Sequence, residues 1–355
     1  MRRPALDGAH PDYRLFTFGE RQVLAVPRSA MRVRRASVRC CPRDTPRKAL
    51  YRAFLMLSVS ARLDRFVGST VPMPLPRRTA ASISEWLGDP GSATREKAGW
   101  SFVVRWPPQL DRGRVYVHVL DGSGAAVCFL KVSLDTHNDR TLTREAATLA
   151  DVARLAKRNF EVPAVLRVWR PERHVVLALA ALPDPDRRDR RLGGTFPAAA
   201  VGEYSGHRRA VGPDDVLELS WFRDWEPPWD TIHERFLTEL SSDRRPWVVC
   251  RAHGDLGTHN VVRAGGRSWI FDWEESAADA PHLADRVGFE LSRLSRKLAR
   301  RPTDWRGIVD RAAPGLGLLP RRDLIRALVF RTSRRMADAN IIMRNWDRSG
   351  GWGQP

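Results

Sequence analysis

The octapeptide HGDLGTHN, residues 253–260, lies between two apolar runs: PWVVC before it, and NVVRAGGRSWIFDWE, which begins at its own Asn260. The first run predicts a strand, and the second, with Gly265-Gly266 at its centre, predicts a hairpin. A polar loop tied to strands at both ends has little freedom. The arrangement brings three groups towards one another: Asp255 early in the loop, Asn260 at its end and Asp272 at the end of the returning strand.

These three groups are a minimal set for phosphoryl transfer, a reaction that needs positioning and charge neutralisation more than covalent help. Hard oxygen ligands with room left for water and phosphate suit magnesium. Each residue alone has an ordinary explanation, because Asp and Asn favour turns for their own hydrogen bonds. Their order across a loop and a hairpin is harder to explain that way.

The same chemistry asks for a phosphate-binding cation. In AAVCFLKVSL, strand alternation puts Cys128, Leu130, Val132 and Leu134 on one face, and Val127, Phe129, Lys131 and Ser133 on the other. Taken alone, Lys131 reads as a rim lysine reaching to water. The helix predicted over Leu142 to Lys157 alters that reading. Leu142, Ala146, Leu149, Val152, Ala153 and Ala156 make its apolar stripe, and Glu145 falls inside the stripe. A carboxylate on a buried face needs a partner, and Lys131 is the nearest upstream cation on a strand. The alternative is that Glu145 sits at the stripe's margin and reaches solvent. Only five of the 60 basic residues are lysines (Lys48, Lys97, Lys131, Lys157 and Lys297), so a retained lysine points to a need for a compact ammonium.

The chain has 355 residues, 43% of them hydrophobic, which allows two or three packed units. Strand-like YRLFTF and RQVLAVP, a helix near Lys48 to Phe66 and the proline-rich VPMPLPRR mark residues 1–95 as a segment with no evident chemistry. It is open to use as a cap, a dimerisation surface or a partner-binding arm. Residues 96–182 read as a β-rich unit, and 183–355 as a mostly helical one. Between them the arginine-rich PDPDRRDRRLGG reads as a solvated linker, with a phosphate role as the alternative. Cys40, Cys41, Cys128 and Cys250 have neither disulfide-framework nor zinc spacing, and no run is apolar enough for a leader or a span. A cytoplasmic protein is the expectation. The net charge of +19 comes from arginines scattered along the whole chain, so no specific nucleic-acid groove is inferred from it.

HGDLGTHN followed by IFDWE resembles the H-G-D-x-x-x-x-N and D-W-E signature of the aminoglycoside phosphotransferase and choline kinase group of small-molecule kinases. The resemblance covers roughly residues 100–300. It implies an α+β, protein-kinase-like two-lobed fold, with a small β-rich N-lobe and a mostly helical C-lobe, here carrying an extra N-terminal segment. It further implies Asp255 as catalytic base, with His253 and Gly254 shaping the loop, and Asn260 and Asp272 holding Mg²⁺ on the nucleotide phosphates. Lys131 would bind the α- and β-phosphates, Glu145 would fix it, and Phe129 would stack on the base. Asp285 resembles the residue that supports the loop, and Glu274 would assist at the metal. Leu256-Gly257-Thr258-His259 stands where many members carry a His-Pro-Gly type sequence, and ALAALPD lacks the frequent acidic-aromatic pair, which leaves ATP and GTP both open.

The reading is therefore an ATP- or GTP-dependent, Mg²⁺-dependent O-phosphotransferase acting on a hydroxyl of a sugar, an aminoglycoside-like compound or a related metabolite. From Asp272 to the end, 11 acidic residues face 16 basic ones, which favours a neutral or anionic acceptor over a polycation. Trp221, Trp225 and Trp229 have two readings, core residues or a sugar-stacking wall. The competing hypothesis is a catalytically inactive kinase-like protein that binds nucleic acid or an acidic membrane. A protein kinase is disfavoured by HGD in place of H-R-D and by the lack of an A-P-E segment.

Overall fold

YRLFTF and RQVLAVP form the antiparallel strands β1 (Tyr13–Phe18) and β2 (Arg21–Pro27) in the computed structural model of the chain. The structure describes residues 13–18, 21–40, 46–88, 99–107, 113–155, 158–171, 173–183, 195–223, 238, 244–300 and 319–334. The described residues fall into two compact units: 1–147 with 163–182, and 148–162 with 183–355.

In the first unit, α1 (Met31–Arg39), α2 (Pro46–Ser60) and α3 (Asp64–Val67) follow β2, and then come β3 (Ser69–Val71) and α4 (Arg77–Gly88). The hairpins read from alternation appear as β4 (Ser101–Arg105), β5 (Arg114–Leu120) and β6 (Ala126–Ser133). The helix α5 (Thr136–Ala153) follows; it starts six residues earlier than the apolar stripe alone predicts, because the side chain of Asp135 accepts the Asn138 amide at 2.7 Å and opens the helix. The short strand β7 (Phe160–Glu161) belongs to the second unit, and β8 (Val165–Trp169) and β9 (Val176–Ala180) return to the first.

These strands make one eight-stranded antiparallel sheet in the order β3-β1-β2-β4-β5-β6-β9-β8. The N-terminal residues 1–95 thus supply three strands of the sheet that carries Lys131. Cys128, Leu130 and Val132 point into one apolar layer together with Ile83, Trp86 and Leu87 of α4. Val103, directly opposite His118 in the β4–β5 register, belongs to the layer on the other face with Val33 of α1 and Leu55 and Val59 of α2. A strand buried on both faces loses its polar alternation, which is why every residue from Arg114 to Val117 is buried.

The second unit opens with β7 and continues with α6 (Ala198–Ser205), β10 (Arg209–Val211) and α7 (Ser220–Arg223). The strand β11 (Trp247–Ala252) and the hairpin of β12 (Val261–Ala264) and β13 (Arg267–Ile270) bracket the octapeptide. They are followed by β14 (Ala277–Pro281), α8 (Ala284–Arg300) and α9 (Arg321–Ser333). Two three-stranded sheets form, β10-β11-β14 and β12-β13-β7. The core beneath them gathers Trp221, Trp247, Val287, Leu291, Leu328 and Phe330. Trp221 is buried there, edge-on to the Phe330 ring at 5.2 Å, with its indole N–H on the Asp279 carbonyl, so it cannot form a sugar-stacking wall. Trp225 and Trp229, like residues 184–194 of the arginine-rich linker, lie outside the described residues. No helix among the described residues is long and apolar enough to cross a membrane.

Candidate active site

In the first unit the groups singled out by pattern meet. Lys131 sits on β6 between Tyr116 of β5 and Leu177 of β9, and its Nζ donates to both Oε1 and Oε2 of Glu145 at 2.8 Å. Their side chains are 4% and 0% exposed, so the ion pair is buried. The α5 stripe explains the meeting: Leu142, Ala146, Leu149 and Val152 are buried on the same side, and Glu145 lies among them. Ala153, expected in the stripe, is exposed at the helix end, and Ala156 lies outside the described residues. A buried carboxylate is tolerated when a cation supplies its hydrogen bonds, and this pairing also holds the ammonium at a defined place.

Phe129 lies two residues before Lys131 on the same face. It is half-buried, with His118 directly opposite at 4.9 Å between ring centroids and Tyr116 stacked at 5.5 Å. Tyr116 in turn has the guanidinium of Arg105 over its ring at 4.8 Å. The sheet face beside Lys131 is therefore aromatic and basic. Phe129 was legible from strand alternation; His118 and Tyr116 were not, because their place depends on the β5–β6 register.

In the second unit β11 runs straight into His253-Gly254-Asp255. The amides of His253 and Gly254 donate to the two oxygens of Asp285 at 2.7 and 3.0 Å, and the Tyr204 hydroxyl donates to the same carboxylate at 2.6 Å. Asp285 opens α8 and so clamps the loop from a helix N-terminus. Gly254 has φ +88, and a Cβ there would lie 2.0 Å from the Glu275 carbonyl oxygen, so only glycine fits. His253 is wholly buried against Trp273, and its Nε2–H donates to the Phe271 carbonyl at 2.9 Å. That hydrogen bond ties the start of the octapeptide to the end of the hairpin.

Asp255 follows with its side chain 25% exposed. Its Oδ2 faces His259 Nε2 at 3.4 Å. Burial pushes the Asp255 carboxyl up, but the His259 hydrogen bond and the nearby Arg331 outweigh it and hold it below the usual carboxylate range. The same hydrogen bond raises His259. Asn260 is buried, and its Nδ2 donates to the Asp255 carbonyl at 2.9 Å, which fixes the amide. Asp272 adopts φ +70 and ψ 56, a left-handed conformation that costs a non-glycine residue about 1–3 kcal/mol. It sits just before Trp273, which is buried with its indole N–H on the Ile270 carbonyl. A carboxylate oxygen of Asp272 and one of Glu274 lie within 4.8 Å of each other. Asn260, at the other end of the β12–β13 hairpin, accepts the Phe271 amide on its backbone carbonyl at 3.2 Å, and carboxylates and amide oxygens are hard donors of the kind Mg²⁺ takes.

Pattern reading missed Arg331. It projects from α9, is buried, and its Nη1 reaches the Gly254 carbonyl at 3.4 Å. The signal was present: an arginine among Ile325, Leu328, Val329 and Phe330 is out of place on an apolar helix in the way Glu145 is on α5.

No protein-family model matches the chain, and no curated protein does. Solved structures similar to it include an amicoumacin kinase in complex with AMP-PNP and Ca²⁺, at 11% identity over 70% of this chain and 88% of that one, with a TM-score of 0.41. Another is the GDP complex of aminoglycoside 2'-phosphotransferase-IIIa, at 13% identity over 77% and 97% of the two chains, with a TM-score of 0.41. A third is spectinomycin phosphotransferase with ADP and spectinomycin, at 14% identity over 77% and 99%, with a TM-score of 0.35.

Proposed function

We propose that the chain is a small-molecule kinase: a Mg²⁺-dependent O-phosphotransferase that moves the γ-phosphoryl group of ATP or GTP to a hydroxyl group. The observation that carries this reading is the clamped loop of the second unit. Asp285 holds the backbone just before Asp255 by two amide hydrogen bonds, so a partly exposed carboxylate stands on a rigid base, with Asn260 at the loop's end and Asp272 beyond the hairpin.

Asp255 orients the acceptor hydroxyl and takes its proton as the oxygen bonds to the γ-phosphorus and the bond to the β-phosphate oxygen breaks. A carboxylate held below its usual range is a weak base, and its main contribution is orientation, with proton transfer late. Lys131, fixed by Glu145, neutralises α- and β-phosphate oxygens. Phe129 offers a ring for the base. Asn260 and Asp272, with Glu274, would hold Mg²⁺, which when bound screens the phosphate charge. The basic surroundings of the loop, Arg331 and His259, favour a neutral or anionic acceptor, such as a sugar or a related metabolite, over a polycation.

The test is thermal unfolding of the purified protein with ATP or GTP, each with and without Mg²⁺, against Asp272→Ala. Stabilisation that needs Mg²⁺ and is absent in the variant supports the nucleotide site. In a hydroxyl-compound screen, Asp255→Ala should then lower turnover by about a hundredfold to ten-thousandfold. A wild-type protein that responds to neither nucleotide, or an Asp255→Ala variant with full turnover, overturns the reading.

A further inference from the structure

Outside the sheet face that carries Lys131, the first unit presents an apolar helical surface with no partner among the described residues. On α2, Leu50 and Leu57 are 73% and 71% exposed, and Phe54 lies between them at helical spacing. After the turn at Arg62, Leu63 and Phe66 at α3 are also at least half exposed. The opposite side of α2 is firmly seated. Leu55 and Val59 are fully buried in the core, Tyr51 donates to the Thr17 carbonyl at 2.6 Å, and Ser60 accepts from Arg35 of α1 at 3.1 Å. The exposed side chains therefore belong to a fixed helix whose inner face is already used.

Charge decides what this surface fits. From Arg47 to Arg78 there are seven basic residues and one acidic residue, Asp64, which is buried and paired with Arg34. Arg47 stands exposed at the start of α2, Arg62 at its end, and the Arg65 guanidinium lies over the Phe66 ring at 4.7 Å. A second copy packed on this face about a two-fold axis would set these arginines against themselves. Nucleic acid would satisfy the arginines but leave leucines without use, since base recognition draws on aromatic stacking and polar contacts. A bilayer with anionic headgroups takes both: leucines and phenylalanines enter the acyl boundary while arginines stay at the phosphates.

We propose that α2 and α3 form a docking surface for an acidic phospholipid membrane, which would place the chain peripherally on that membrane. The experiment is co-sedimentation of the full-length protein with vesicles of phosphatidylcholine alone and of phosphatidylcholine mixed with phosphatidylglycerol, over a range of salt. Binding is expected only with the acidic vesicles, weakening as salt rises. The doubly substituted Leu50→Ser/Leu57→Ser protein should bind them at least about tenfold more weakly, as should Arg62→Gln/Arg65→Gln. All four positions are exposed, so thermal unfolding of the variants should match the parent, which separates lost docking from lost folding. Failure of the parent to bind acidic vesicles overturns the proposal, as does undiminished binding by the leucine variant. If the parent instead sediments as a dimer that the leucine variant dissolves, with no vesicle binding, the surface is self-associating and the proposal falls. Binding of double-stranded DNA in place of vesicles, unchanged by the leucine substitutions, overturns it equally. None of these results bears on the nucleotide response, so this proposal and the kinase reading fail separately.

Discussion

Arg331 occupies the space that Gly288 leaves empty: a Cβ at Gly288 would lie 2.3 Å from Arg331 Nη1. Through that gap the guanidinium from α9 crosses α8 and reaches the Gly254 carbonyl, next to the proposed base. The missing side chain on one helix thus gives an arginine on another access to the loop. Gly288→Ala should destabilise the parent by about 1–3 kcal/mol through overpacking. In an Arg331→Ala background the same change should become neutral or stabilising by up to about 1 kcal/mol, because alanine is the better helix former. Denaturant unfolding of the four proteins measures the coupling, and additive effects would show that the two residues do not compete for the space.

The Lys131–Glu145 pair should behave as a buried ion pair in stability as well as function. Removing one partner, as in Lys131→Met or Glu145→Leu, leaves an unpaired buried charge and should cost about 3–5 kcal/mol. The double variant should be more stable than either single one. Nucleotide-dependent stabilisation should be lost in all three, so unfolding curves with and without nucleotide separate the structural cost from the functional one.

Asp285→Ala should be among the most damaging single changes in the second unit. It leaves the amides of His253 and Gly254 and the Tyr204 hydroxyl without their acceptor, at about 1–3 kcal/mol for each buried group. Asp285→Asn, which keeps one acceptor oxygen, should retain part of the stability yet displace the loop. Urea midpoints for the two variants should rank parent, Asn, Ala.

Acid should weaken the first unit through His118. Burial, and then the Arg105 guanidinium, push its pKa down to about 3, and its Nε2 is buried with no hydrogen-bond partner among the described residues. The unfolded chain takes up a proton near the ordinary value of about 6.5, whereas the folded chain does not until far lower. The folded-state pKa is depressed, so this contribution is fully present above about pH 6.5 and is lost as the pH falls towards 3. His118→Leu should flatten the fall in unfolding free energy over that window; an unchanged slope would assign the acid sensitivity to other groups.

Local pattern was enough for the parts of the site whose neighbours are close in sequence. Strand alternation put Lys131 and Phe129 on one face, the α5 stripe put Glu145 on the buried side, and two apolar runs fixed the ends of the octapeptide, because side-chain direction repeats every two residues in a strand and every 3.6 in a helix. The same periodicity left Trp221 ambiguous between core and binding wall, since an aromatic spacing is silent on what packs against it. Only the tertiary structure decided that Trp221 is core, that His118 and Tyr116 flank Phe129, and that Arg331 reaches the loop beside Asp255. Sequence periodicity specifies which way a side chain faces. What it meets depends on register between distant strands and on which helix leaves a gap, and those are settled by packing of the whole unit at once.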